Sequence, residues 1–142
     1  MPSYLIVANQ TLGSPTLAAA VAGRIAGGAA SFHVVVPATP VQHRLTWDED
    51  ETNAAAEARL DALLAHLREL GAEASGEVGS PNPIDAVHDA LRERRADEII
   101  LSTLPPGISR WLGQDLPSRL RNAVSIPVAV VTAPRETVPA GG

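Results

Sequence analysis

Short apolar runs alternate along the chain with longer stretches in which apolar residues recur every three or four positions. Residues 4–8, 32–36, 98–103 and 127–132 are runs of the first kind, bounded by turn residues, and read as strands buried on both faces. Residues 72–79 are less apolar and read as an edge strand. Between these lie helical patterns. Ser14-Pro15 is a helix start, Leu17, Val21 and Ile25 line one face beside Ala18 and Ala22, and Gly27-Gly28 ends the element. The acidic residues 48–51 lead into a long helix with Leu60, Leu63, Leu64, Leu67 and Leu70 on one side and Gly71 at its close. Asn82-Pro83 starts a third helix with Ile84, Val87 and Leu91 inward. Asp115 or a residue near it is expected to cap a last helix that turns Leu120 and Val124 inward. Residues 38–50 read as a loop, long for a compact domain, and 135–142 as a loose polar tail.

Strands that alternate with helices predict an α/β fold, a single-domain open parallel five-stranded sheet with helices on both faces. Right-handed crossovers give the order 3-2-1-4-5 for a domain over residues 1–134. The winding reverses between the first and fourth strands, so a crevice is expected there, lined by residues 9–14 and 103–115.

Composition narrows what that crevice can do. The chain has 142 residues, no cysteine and a net charge of −5, and every basic residue apart from histidine is arginine. Disulfides, thiol nucleophiles, thiolate metal sites, a P-loop lysine and Schiff-base chemistry are all excluded. No basic tract exists to neutralise phosphates along a nucleic acid, and aromatics are only 3%, too few for a platform of stacked bases. No apolar run approaches the roughly 18 residues that span a bilayer, and the amino terminus shows no signal pattern, so a cytoplasmic protein is expected.

The loop after the fourth strand is the foremost candidate for ligand contact. Thr103, Gly107, Ser109 and Arg110 lie on it, and the arginine fork suits an anion. Gln10, Thr11 and Ser14 lie at the amino end of the first helix, where anions also bind, although capping alone is the favoured account of these three. The four histidines show no metal-ligand spacing, and His33 is expected to be packed and hydrogen-bonded. Trp47 and Trp111 are expected to anchor their own loops. No ordered Ser-His-Asp set, carboxylate pair or metal triad emerges, so no enzyme is expected.

YLIVANQT, FHVVVP, NPIDAVHDAL, ADEIILST and SIPVAVV together make nearly the whole chain resemble a universal stress protein domain. ATP-binding members of that family carry G-x2-G-x9-G-[ST] across the loop after the fourth strand. Aligned on Arg119 and Pro127, this chain has Leu101, Leu104 and Gln114 at the glycine positions and Asp115 at the hydroxyl position. Pro105 and Pro106 remove two backbone donors as well. Asn9 stands where the family has an adenine-contacting Asp, and Val34 matches the position that meets adenine through its backbone. The resemblance therefore implies a modified or weak adenine-nucleotide site, with no certain cofactor. It also implies homodimers paired through the fifth strand. Two readings follow: a regulatory domain that binds a small molecule between the first and fourth strands, or a dimeric protein-interaction module with a vestigial cleft and a protein partner of its own.

Overall fold

Leu5, Ile6, Val7 and Ala8 are each no more than 4% exposed, the burial that a continuous apolar run acquires at the centre of a parallel sheet. In this computed structural model, residues 2–8, 15–37, 42–43, 46–47, 49–80, 82–103 and 115–132 are described. The elements among them run β1 (Ser3–Ala8), α1 (Pro15–Ile25), β2 (Ser31–Pro37), β3 (Gln42–His43), β4 (Thr46–Trp47), α2 (Glu49–Glu69), β5 (Glu73–Gly79), α3 (Pro83–Glu93), β6 (Glu98–Thr103), α4 (Leu116–Ala123) and β7 (Val128–Thr132). The main sheet has five strands in the order β5-β2-β1-β6-β7. Every pairing in it is parallel. This is the 3-2-1-4-5 winding expected from the strand–helix alternation.

Side-chain alternation divides the core into two layers. Ile6, Phe32, Val34, Val36 and Ile100 face α1 and α2. Leu5, Val7, Val35, Ile99 and Leu101 face α3 and α4. Burying each such side chain contributes about 1.5–3 kcal/mol, so both faces are needed. The leucine stripe of α2 behaves as its spacing implies, with Leu63 and Leu67 at most 1% exposed.

Helix ends follow local chemistry. Asn82 Oδ1 accepts from the amides of Ile84 and Asp85 at 3.0 and 3.3 Å, which caps α3. Gly71 ends α2 at φ +91, a conformation that only glycine takes without strain. Asp115 departs from expectation. It holds the N-cap position of α4 with φ 55 and ψ 41, and its side chain makes no capping hydrogen bond. Capping needs extended backbone at that position, and Pro117 removes one amide that a cap would serve.

The segment read as one loop over residues 38–50 also differs. Gln42 pairs with Trp47 and His43 with Thr46 in an antiparallel ladder, and α2 begins at Glu49. Two-residue strands carry no hydrophobic period, so the pattern gave no sign of them. The tail 135–142 lies outside the described residues. No described helix is long and apolar enough to cross a membrane.

Gly76 lets α2 close onto the sheet. A Cβ there would lie 2.5 Å from Leu60 Cδ1 and 2.8 Å from the carbonyl oxygen of Val34. Leu60 could turn aside, but the carbonyl belongs to the ladder and cannot. Gly76→Ala should therefore destabilise the fold by about 1–3 kcal/mol, the range for overpacking a core. Urea unfolding of wild type and variant measures it, and equal midpoints would show that the sheet gives way at this point.

Candidate functional site

From β1 the chain passes through α1 to β2 on one side, and from β6 it passes through α4 to β7 on the other. The two connections leave the neighbouring strands β1 and β6 in opposite directions, which opens a crevice beyond their carboxyl ends. Ala8 pairs with Ser102 at the last rung of that junction, and Thr103 extends one residue further, beside Thr132 of β7. Thr16, in the first turn of α1, donates its hydroxyl to the carbonyl of Thr132 at 2.9 Å. This bond ties α1 to the end of β7 at the same end of the sheet.

Thr103 is fully buried, and its Oγ1 has no hydrogen-bond partner among the described residues. A buried hydroxyl without a partner costs about 1–3 kcal/mol, and native structures tolerate few. It shares its face with Ile99 and Leu101, under α3 and α4. Val34 is also fully buried but faces the other layer, towards α1 and α2. Its backbone is flanked by Ile6 of β1 and Gly76 of β5. The sheet thus sets Thr103 at the rim of the junction and Val34 deeper, with β1 between them and their side chains on opposite faces. The remaining sequence candidates, Asn9, Gln10, Thr11, Gly107, Ser109 and Arg110, lie outside the described residues, as does Trp111.

One unusual group gave no signal in the sequence. Arg59 of α2 has Nε and Nη2 buried without a partner among the described residues. Burial lowers its pKa, the direction expected for a cation withdrawn from water. Its neighbour Leu60 packs at Gly76, opposite Val34, so Arg59 stands at the level of Val34 in the sheet. A lone arginine on an amphipathic helix reads as solvated, and only tertiary packing withdraws it from water. Among the described residues no group of three His, Asp or Glu side chains could hold a metal ion.

An open parallel sheet wound in this order, with its switch between β1 and β6, is the fold of the universal stress proteins. A member of that family from Burkholderia pseudomallei superposes with a TM-score of 0.64 at 17% identity, over 91% of this chain and 94% of that one. The universal stress protein of Archaeoglobus fulgidus in complex with dAMP gives 0.63 at 20% identity, over 92% and 97%. A universal stress protein in complex with cAMP gives 0.58 at 20% identity, over 94% and 98%. No protein-family model matches the sequence, and no curated protein matches it either.

At the opposite end of β2, His33 is 8% exposed and its Nδ1 lies 3.0 Å from Ser75 Oγ, packed and hydrogen-bonded as expected. Its Nε2 faces Glu77 Oε1 at 3.5 Å. Burial lowers the pKa below the ordinary 6.5, and Arg94 acts in the same sense, while Glu77 and Glu93 oppose them. The unfolded chain therefore holds the proton more tightly than the folded one. This contribution to stability is complete above pH 6.5 and is lost as the pH falls below it. Denaturant midpoints taken at about pH 7.5 and about pH 5.5 should fall with acid in the wild type and fall less in His33→Gln. Equal losses in the two proteins would remove His33 as the source.

Proposed function

We propose that this chain is a non-catalytic regulatory domain that binds an adenine nucleoside monophosphate in the crevice between β1 and β6. Thr103 carries the reading: a buried, unpartnered hydroxyl at the carboxyl end of β6 is a group that a ligand in the crevice would satisfy. The dAMP and cAMP held by structures of the same fold support the ligand class. A single phosphate suits the sequence better than three. Leucine and glutamine replace the glycines that let amides approach a phosphate chain, two prolines lack N–H groups, and Asp115 brings a carboxylate. Charge must then come from a side chain, and Arg110 is the basic residue that the loop sequence offers.

Calorimetry on the full chain tests this. AMP should bind at least about tenfold more tightly than Mg-ATP, whose Kd should exceed about 100 μM, equivalent to less than roughly 5.5 kcal/mol. Thr103→Val should weaken AMP binding by about 0.5–1.5 kcal/mol and Arg110→Ala by about 1.5–3 kcal/mol, the ranges for neutral and charged hydrogen bonds. Micromolar affinity for Mg-ATP would overturn the phosphate argument. Absence of binding by AMP and cAMP at millimolar concentration would favour the second reading.

That second reading is a homodimeric interaction module joined through β7. All five residues of this edge strand, Val128 to Thr132, are only half-buried, and an open apolar edge invites pairing. A two-fold pairing of β7 with its copy would cover it and leave the cleft free or vestigial. Light scattering over a wide dilution range should give twice the chain mass. A monomer at about 10 μM, which requires a dimer dissociation constant well above that value, would sink the pairing.

A further inference from the structure

On the face that α3 covers, the sheet changes character along its length. Val7 and Val35 are buried beneath that helix with Ala86. One row below, Leu5, His33 and Ser75 stand side by side, and below them Ser3, Ser31 and Glu73. α3 has eleven residues and is therefore only about 16 Å long. It ends at Glu93, and the chain turns through Arg94 and Arg95 before β6. Glu93, in its last turn, reaches the level of His33, and the polar positions of the two rows lie where the helix ends. They form the floor of a cavity of about 440 Å³, with Arg94 and Arg95 on its wall.

Neither guanidinium forms a hydrogen bond or ion pair among the described residues. Arg24 and Arg92, by contrast, pair with Glu98 and Asp89 at 2.8 and 3.0 Å. Two adjacent arginines on the wall of a concave, hydroxyl-lined surface bring two positive charges to it, and arginine forks match the oxygens of a phosphate or carboxylate. Ser31 and Ser75 add hydroxyls to the floor. Glu73 also lines the cavity, so a ligand with a second negative group would be repelled.

We infer that this cavity, at the amino ends of β1, β2 and β5, is a second ligand site for a small molecule with one phosphate or carboxylate group, held by Arg94 and Arg95. It lies at the opposite end of the sheet from the crevice and does not depend on what the crevice binds.

Titration of the isotopically labelled full chain with inorganic phosphate, followed by NMR, tests the assignment, with acetate in a parallel titration. Phosphate or acetate should give saturable shifts centred on Ser31, His33 and Ser75 that persist when AMP is present. The pair Arg94→Gln and Arg95→Gln, both exposed positions, should weaken the effect at least about tenfold, the loss of roughly 1.4 kcal/mol. Melting curves confirm that the variant is folded. Glu73→Gln should tighten binding about threefold by removing the opposing charge, and a loss of affinity instead would mean that the cavity takes a cation or zwitterion. Shifts centred on Thr103, unsaturated shifts with both anions, or unchanged affinity in the double variant would each overturn the inference.

Discussion

Strand β1 is hydrogen-bonded to β2 along one edge and to β6 along the other, at the centre of the five-stranded order. Its residues from Leu5 to Ala8 alternate between the two core layers, so a shift of one residue would exchange the layers and leave both badly packed. The register is fixed at its amino end too. Ser3 N donates to Asp97 Oδ2 at 2.8 Å, and Asp97 N donates to the Ser3 carbonyl at 2.7 Å. Everything that defines the crevice follows from this strand. Its position next to β6 is what makes the winding reverse there.

The same sheet offers two unlike ends. At the carboxyl ends, α1 is tied to β7 through Thr16, and Thr103 is held without a partner among the described residues. At the amino ends, the first layer is closed by aromatic and charged contacts. Tyr4 stacks on Phe32 with ring centroids 5.1 Å apart, Arg24 lies 5.6 Å over Tyr4, and the same guanidinium pairs with Glu98. The second layer holds a cavity at that end, where α3 ends at Glu93, and serine, histidine and glutamate line it beside the buried Leu5. A parallel sheet buried on both faces has apolar rows throughout; here the polar positions coincide with the end of the helix.

The crevice was legible as a place rather than as a set of groups. Thr103 could be assigned to it because a strand end followed by a proline-rich loop identifies a ligand-facing position in this class of fold. That its hydroxyl is without a partner could not be read, since satisfaction depends on what α4 and β7 bring near it. Val34 stands out only through the family resemblance, and the structure shows it deep in the first layer at the level of Leu60 and Gly76. Arg59 and the meeting of His33 with Ser75 and Glu77 had no local signal at all, because their partners lie on other elements.

Hydrophobic period and turn chemistry alone determined the five strands of the main sheet, the helices between them, their order and the winding, because these are set by contacts between residues close in sequence and by the handedness of crossovers. The cap at Asn82 and the stop at Gly71 belong to the same category. Tertiary structure decided what those elements do to one another's polar groups. Whether Asp115 caps α4 depended on a left-handed backbone that no periodicity encodes. Whether Arg94 and Arg95 are surface charges or the wall of a cavity depended on where α3 ends relative to two rows of the sheet. Burial and pairing of a polar group are properties of its surroundings, and those are assembled from distant parts of the chain.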